Sequence, residues 1–276
     1  MGVGRSIGRG FMFARDLVAR GLLAVGVSPN SLTMAGFFFT AGAGFFLALG
    51  AGDKLHGRGL WSSLLGRYDG PDVGLSCWNL WAAACLILSS ATDMLDGAVA
   101  RLGNCGTRFG AFLDSTLDRF SDFAIFAGIG FYYAWRGNAT YTLLAMLSLG
   151  NAFAISYARA RAESLVPKFK AGYWQRGERM AAVIISVFAF NIPAMLWQQA
   201  ISPAFTVWRR IKCTRDALEG RPVIEDPRTG TWLDRIQPWR WPRMTRAYDL
   251  ITGANIVFLI FAPIPQVDLI RWAVQP

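Results

Sequence analysis

Long apolar stretches alternate with short charged stretches along most of the chain. A helix that crosses the hydrocarbon core of a membrane needs about 20 residues, at a rise of about 1.5 Å per residue. The stretches long enough are 32–51, 78–99, 109–135, 139–157, 180–198 and 250–270. The pattern therefore predicts an all-α integral membrane protein with six transmembrane helices.

Residues 1–31 have a different pattern, in which arginines are separated by apolar side chains. The arginines are Arg5, Arg9, Arg15 and Arg20, and Phe, Leu and Val residues lie between them. This spacing is typical of an amphipathic helix that lies on the membrane surface. No apolar run with a small-residue cleavage site precedes Pro29, so we expect a retained, cytoplasmic, juxtamembrane N-terminal helix.

The pattern divides the chain into four segments. They are the amphipathic segment 1–31, a core of spans one to five at 32–200, a basic tryptophan-containing loop insertion at 201–248, and span six with the C-terminus at 249–276. Gly36, Gly42, Gly44, Gly128 and Gly130 lie inside spans, where small residues let helix backbones approach closely. We expect them to pack the helices together.

Composition supports a membrane protein and argues against several other classes. Apolar residues make up 53% of the chain and charged residues 17%, which is wrong for an ordinary soluble domain. Lys and Arg exceed Asp and Glu by 28 to 18, and the apolar stretches make anionic membrane lipid, rather than nucleic acid, the expected partner. With one histidine, His56, and no paired cysteines, zinc chemistry and histidine base catalysis are poor candidates.

Basic residues near the span ends orient the helices, because they favour the cytoplasmic side. The segment between spans four and five contains Arg159, Arg161, Lys168, Lys170, Arg176 and Arg179. We expect it to be cytoplasmic, like the N-terminus. Alternation of six spans then predicts that residues 205–248 lie outside, although they contain ten basic and five acidic residues.

Aspartates are concentrated where spans two and three meet. The acidic residues between 77 and 158 are Asp93, Asp96, Asp114, Asp118 and Asp122. An ionised aspartate in a membrane helix costs about 2.5 to 3.5 kcal/mol, so the group needs a compensating cation or a water-filled cavity. Asp93 and Asp96 are spaced i, i+3 and Asp114 and Asp118 are spaced i, i+4, so each pair lies on one helix face.

A short glycine-rich connection makes these two helices antiparallel neighbours, so four carboxylates are expected to converge at the cytoplasmic end. Such an all-oxygen site suits Mg²⁺ or Mn²⁺, and two ions would offset most of the negative charge. Ion pairs with Arg101, Arg108 and Arg119 are an alternative, but they do not explain the spacing.

The spacing Asp93-x2-Asp96-Gly97-x2-Ala100-Arg101-x8-Gly110-x3-Asp114-x3-Asp118 resembles the signature of the CDP-alcohol phosphotransferase family. The resemblance implies a membrane enzyme, usually a homodimer, that displaces CMP from a CDP-linked lipid with a hydroxyl acceptor. It implies that Asp93, Asp96 and Asp114 bind metal, and that Asp118 binds the second metal and is the general base. It also implies nucleotide contacts for Gly97, Arg101 and Thr107.

Further segments are most similar to the phosphatidylinositol phosphate synthase branch, over about residues 14 to 190. They include Ser28-Pro-Asn-Ser-Leu-Thr33, Gly106-Thr-Arg-Phe-Gly110 and Ile155-Ser-Tyr-Ala-Arg-Ala-Arg-Ala-Glu163. By this resemblance, Asn30, Ser31, Leu32, Thr33 and Asp93 hold the CDP-lipid. The residues implied to bind the acceptor's phosphate are Ser156, Arg159, Arg161, Arg176 and Arg179.

We therefore expect transfer of the phosphatidyl group from CDP-diacylglycerol to a phosphorylated polyol, with inositol 1-phosphate favoured over glycerol 3-phosphate. Clustered arginines suit a phosphorylated acceptor, and uncharged inositol or serine would not require them. The expected location is the inner cell membrane, with the active site facing the cytoplasm. The alternatives are a cation channel, which needs charge through the full membrane depth, and a catalytically silent relative, which the intact aspartates argue against.

Overall fold

The computed structural model describes residues 3–51, 78–166, 171–221, 232, 241 and 245–274. The elements in these residues are α1 (Val3–Ala24), α2 (Pro29–Gly50), α3 (Trp78–Leu102), α4 (Arg108–Trp135), α5 (Ala139–Glu163), α6 (Arg176–Phe188), α7 (Ile192–Leu218), α8 (Arg246–Phe261) and α9 (Leu269–Val274). The prediction of an all-α fold is confirmed for these residues.

Helices α2, α3 and α5 are each long and apolar enough to cross a membrane. Among the described helices, these are the ones whose length and composition alone meet that requirement. They indicate a membrane protein, while the number of spans stays a prediction.

Close packing of α2 against α3 and α4 depends on glycine. A Cβ added at Gly128 would lie 2.8 Å from the carbonyl carbon of Gly44, and one added at Gly36 would lie 2.8 Å from a threonine hydroxyl on α3. At Gly42 and Gly130 the nearest atoms would be 3.7 and 3.6 Å away, which is ordinary contact. The predicted packing role is therefore strongest at Gly36, Gly44 and Gly128, and weaker at Gly42 and Gly130.

One end of the helix bundle, named here the carboxylate end, contains the start of α2, the end of α3 and the start of α4. Thr33 on α2 donates a hydrogen bond to Asp96 on α3 at 2.8 Å. A Cβ added at Gly110 on α4 would lie 2.9 Å from the Asn30 side chain. Helix α6 also begins at this end, because Arg176 contacts Asp93.

The predicted fifth span, 180–198, is wrong as a single helix, because the chain reverses at Phe190 and Asn191. Phe190 has a left-handed backbone conformation with φ +55°. The Asn191 side chain donates hydrogen bonds to the carbonyl oxygens of Leu259 and Ala262, both at 3.0 Å. Pro193, in the first turn of α7, suits the start of a new helix.

The predicted loop 201–248 begins with helix rather than loop, because α7 continues to Leu218. Helix α7 runs parallel to α5: Asn151 donates to the Ala200 carbonyl at 2.8 Å. Farther along, Arg210 donates to the carbonyl oxygens of Ile155 and Ala171. The start of this basic segment therefore returns to the carboxylate end, and the expectation that it lies on the opposite side is wrong for these residues.

Helix α8 runs from the carboxylate end to the opposite end of the bundle, called the far end below. Tyr248 near its start contacts Glu178 at the start of α6, and Leu259 near its end contacts Asn191. The helix ends at Phe261, so the predicted span 250–270 is shorter than expected. Beyond it, Asp268 accepts hydrogen bonds from the first turn of α5, which fixes the C-terminal segment at the far end.

Candidate active site

Three carboxylates from two helices meet at the carboxylate end. Asp93 on α3 and Asp114 and Asp118 on α4 each offer one oxygen, and these oxygens lie within 4.8 Å of one another. The i, i+4 spacing directs Asp114 and Asp118 to one face of α4. The antiparallel neighbour α3 supplies Asp93, as the sequence predicted.

This group fits a divalent cation. Metal–oxygen bonds to Mg²⁺ or Ca²⁺ are about 2.0 to 2.6 Å long, so two oxygens on one ion are at most about 5.2 Å apart. The observed oxygens are within that limit. Hard carboxylate donors suit Mg²⁺ or Mn²⁺, and no histidine or cysteine belongs to this group.

Asp96 lies beside this group rather than in it. Its carboxylate accepts the hydrogen bond from Thr33, and its residue is only 9% exposed. Asp96 and Asp114 both line an adjoining cavity of about 180 Å³. Three of the four predicted ligands therefore form one cluster, and the fourth lies on the cavity wall.

The ends of two helices form much of this cavity. Pro29, Asn30 and Thr33 come from the start of α2, and Thr107 and Gly110 come from the start of α4. Free N–H groups and the helix dipole make helix N-termini favourable sites for phosphate groups. The cavity therefore combines positive helix ends with carboxylates that can hold a cation, an arrangement suited to a diphosphate.

Most of the predicted CDP-lipid residues line the two small cavities at this site. Asn30, Thr33, Gly97 and Thr107 line the larger cavity, and Asp93 lines a smaller one next to Asp118. A Cβ added at Gly97 would lie 3.3 Å from the guanidinium of Arg101, so a larger side chain there would crowd that arginine. Arg101 thus lies directly beside the cavity wall.

Two of the predicted CDP-lipid residues have structural contacts instead. Ser31 exchanges hydrogen bonds with Ser28 at the start of α2. The Leu32 side chain is 9% exposed and packs in a small core with Ala98 and Val99 of α3. The side chains of Ser31 and Leu32 do not line the cavity.

Arg176 lies between two carboxylates of the cluster. Its guanidinium is 2.7 Å from Asp93 Oδ1 and 2.8 Å from Asp118 Oδ1. Arg119 is 3.4 Å from the other oxygen of Asp118. Of the residues predicted to bind the acceptor's phosphate, Arg176 is the one in contact with the carboxylate cluster.

Arg179 forms a buried ion pair with Asp122 at 2.9 Å. Their side chains are 5% and 6% exposed, so both charges are removed from solvent. Asp122 lies one turn beyond Asp118 on α4, and this i, i+4 spacing was a sequence signal for its proximity to the site. Sequence reasoning assigned no partner to it.

The remaining predicted acceptor residues lie along the end of α5. Ser156 donates to the Ala152 carbonyl, exposed Arg159 pairs with Glu163 at 2.8 Å, and Arg161 is 3.5 Å from Ser164. These contacts are local to α5 and do not reach the three carboxylates.

Sequence reasoning missed Arg210 of α7, which is 3% exposed. Its charge lies close enough to Arg159 and Arg179 to interact with both. The basic residues of α5, α6 and α7 thus form one positive region at the carboxylate end.

Comparisons with known proteins identify the family of this chain. The sequence profile of the CDP-alcohol phosphatidyltransferase family matches residues 26–208. The phosphatidylinositol phosphate synthase of Mycobacterium bovis is 32% identical over 188 residues, which cover 67% of this chain and 74% of that protein.

Two crystal structures of the Mycobacterium tuberculosis phosphatidylinositol phosphate synthase are similar in fold. The structure with CDP-DAG bound has a TM-score of 0.58 at 27% identity, and covers 72% of this chain and 92% of its own. The complex with manganese and citrate has a TM-score of 0.57 at 27% identity, and covers 73% and 88%. These findings confirm the resemblance carried by the aspartate motif, and the chain belongs to the CDP-alcohol phosphatidyltransferase family of membrane enzymes.

Proposed function

We propose that this protein transfers the phosphatidyl group from CDP-diacylglycerol to a hydroxyl of inositol 1-phosphate and releases CMP. The observation that carries the proposal is the cluster of Asp93, Asp114 and Asp118 beside a cavity formed by two helix N-termini. The names of the similar mycobacterial enzymes support the inositol phosphate acceptor, and the CDP-DAG complex of one of them supports the donor.

Asp93, Asp114 and Asp118 hold the metal in this proposal, and Asp96 completes a second site with Asp114 on the cavity wall. We propose two ions, Mg²⁺ or Mn²⁺, and manganese in a similar enzyme's structure supports this choice. When bound, the cations neutralise the diphosphate and stabilise the charge that develops on the departing CMP.

Asp118 is proposed as the general base. Its side chain is 12% exposed, and it is one of the three clustered carboxylates. One of its oxygens can take the proton from the hydroxyl of the acceptor substrate. The pair with Arg176 orients this carboxylate. No histidine belongs to the described part of the site, and the aspartates are the groups available for this role.

The CDP-lipid is proposed to lie with its nucleotide in the cavity lined by Asn30, Thr33, Gly97 and Thr107. The N–H groups at the start of α4 then face its phosphates, and Arg101 beside Gly97 offers a planar donor. When the CDP-lipid binds, it displaces water from the site, and the lower dielectric constant strengthens the electrostatic contacts with its phosphates.

The acceptor's phosphate is proposed to bind in the positive region that contains Ser156, Arg159, Arg161, Arg176 and Arg179. Arg176 is central to the proposal because it already contacts Asp118, so an anion held by Arg176 lies next to the base. Guanidinium groups bind phosphate with paired hydrogen bonds, which favours a phosphorylated acceptor over free inositol.

We further propose a multi-pass protein of the inner cell membrane with its carboxylate end in the cytoplasm. Basic residues at the ends of α5, α6 and α7 support this orientation, because they favour the cytoplasmic side. Helix α1 is proposed to lie on the membrane surface, since Phe13 and Leu17 are exposed while Ala19 packs on the core. A homodimer is proposed from the family resemblance.

The test is acceptor-dependent release of CMP from radiolabelled CDP-diacylglycerol by the full-length protein in detergent. Inositol 1-phosphate, glycerol 3-phosphate, inositol and serine are compared with Mg²⁺, with Mn²⁺ and with a chelator. We expect metal-dependent release with inositol 1-phosphate, and loss of that release in Asp93→Asn. Faster release with glycerol 3-phosphate would reassign the acceptor, and no release with any acceptor would refute the proposed function.

A further inference from the structure

Helix α8 lies beyond residues 26–208, the part of the chain that matches the family's sequence profile. Tyr248, Thr252, Asn255 and Leu259 of α8 recur at spacings of three and four residues, so they share one helix face. This face meets Tyr173 and the start of α6. The Tyr173 hydroxyl is 3.0 Å from the Thr252 hydroxyl, and Asn255 donates to Tyr173 at 3.3 Å.

Hydrogen bonds fix α8 at both ends. Tyr248 near its start donates to Glu178 Oε1 at 2.8 Å, and Asn191 donates to carbonyl oxygens near its end. In the middle of α8, Asn255 accepts a hydrogen bond from Gln198 of α7 at 2.8 Å. The helix is therefore tied to α6 and α7 in one defined register.

Glu178, the residue that Tyr248 contacts, is close in sequence to the arginines of the active site. Glu178 is in the first turn of α6, two residues after Arg176 and directly before Arg179. Arg176 contacts Asp93 and Asp118, whereas Arg179 pairs with Asp122. A shift in the first turn of α6 would therefore move the guanidinium proposed to bind the acceptor's phosphate.

This first turn depends on neighbouring elements for its position. The N-cap residue Gln175 makes no side-chain hydrogen bond to the turn. Trp174 just before it donates from its indole to Ser202 at 2.6 Å. Besides the ion pairs of Arg176 and Arg179, Tyr248 supplies a contact from another helix directly to the turn that carries Arg176.

We propose that Tyr248 is a positioning residue, which holds Arg176 in the acceptor site through its hydrogen bond to Glu178. The C-terminal helix α8 thus sets the affinity for the acceptor through Arg176, without a substrate contact of its own. The inference rests on the proposed function, because it assigns Arg176 to the acceptor's phosphate.

The test is steady-state kinetics of Tyr248→Phe in the full-length protein, with inositol 1-phosphate and CDP-diacylglycerol varied in turn. Loss of a hydrogen bond to a charged group is expected to raise the KM for the acceptor about tenfold, which corresponds to about 1.4 kcal/mol. We expect the KM for CDP-diacylglycerol to change less than about twofold, since Tyr248 does not line the nucleotide cavity. Because Arg176 also pairs with Asp118, we expect kcat to fall as well, but by a smaller factor than the acceptor KM rises.

Thr252→Val is the matched control, because it removes a hydrogen bond one turn along the same face but leaves Glu178 untouched. Its acceptor KM should equal that of the wild type. In a Glu178→Ala background, Tyr248→Phe should have no further effect on the acceptor KM, since the contact is already lost.

An unchanged acceptor KM in Tyr248→Phe would overturn the inference. So would an equal rise in Thr252→Val, which would indicate general loosening of α8, or a full additional rise in the Glu178→Ala background. Failure of the proposed function is distinguishable, because the wild type itself would then release no CMP with inositol 1-phosphate.

Discussion

Substitution of Gly128 by alanine tests whether the crossing of α2 and α4 supports the active site. The added Cβ would lie 2.8 Å from the carbonyl carbon and 3.1 Å from the Cα of Gly44. Both are backbone atoms, so no side-chain rotation can relieve the overlap. Ordinary contact between carbon atoms is about 3.5 to 4.0 Å, so the two helices must separate by about 1 Å.

This separation should reach the carboxylates, because α4 is one continuous helix from Arg108 to Trp135. Gly128 lies ten residues after Asp118, or about 15 Å along the helix. A misplacement of about 1 Å at a reacting group can cost about 100-fold in rate. We therefore expect about 100-fold slower CMP release in Gly128→Ala, and a lower apparent melting temperature in detergent.

Gly130→Ala is the matched control on the same helix. The Cβ added there would lie 3.6 Å from the nearest atom, the Cβ of Ala145, which is ordinary contact. Both the rate and the melting temperature should stay close to those of the wild type. Wild-type activity and stability in Gly128→Ala would refute the argument that the close crossing positions the site.

Three further predictions address the carboxylates. Asp118→Asn should slow CMP release by at least about 100-fold, as expected for loss of a general base, and unchanged turnover would exclude that role. Arg179→Met should lower the free energy of unfolding by about 3 to 5 kcal/mol in mixed detergent micelles, because it leaves a buried charge unpaired, and the double variant with Asp122→Asn should recover most of it. Partial desolvation alone would raise the pKa of Asp268, but hydrogen bonds from Thr140 and three backbone N–H groups lower it to about 2. Asp268→Asn should therefore lower the melting temperature above about pH 4. The difference from the wild type should narrow as the pH falls towards 2, and a difference that persists unchanged would contradict this reasoning.

The sequence predicted the part of the site that depends on local spacing. Asp114 and Asp118 share a face of α4 because they are one turn apart, and a short connection brings Asp93 beside them. The apolar run 32–51 was long enough to predict the membrane-length helix α2. These features follow from helix geometry and chain connectivity alone.

Contacts between distant segments could not be read from spacing. Arg176 pairs with Asp93, 83 residues earlier, and Tyr248 pairs with Glu178, 70 residues earlier. A count of basic residues indicates a positive region, but it does not say which guanidinium reaches which carboxylate. That choice depends on how α6 and α8 pack.

The reversal at Phe190 and Asn191 was missed for a different reason. The apolar stretch 180–198 has the length of one span, and length alone gave one helix. The Asn-x-Pro sequence at 191–193 was the available signal, since it favours a helix start. Because the chain reverses there, the basic residues of α7 lie at the carboxylate end. This position agrees with the rule that basic residues favour the cytoplasmic side, whereas six alternating spans placed them on the opposite side.

Direct measurement of manganese binding tests the central claim that Asp93, Asp114 and Asp118 hold a divalent cation. Free Mn²⁺ is measured by electron paramagnetic resonance during titration into the purified full-length protein, with Glu163→Gln, an exposed carboxylate variant, as control. We predict that the wild type and Glu163→Gln bind Mn²⁺ equally and that the triple variant with asparagine at positions 93, 114 and 118 does not. Binding of Mn²⁺ by the triple variant with wild-type affinity would contradict the account.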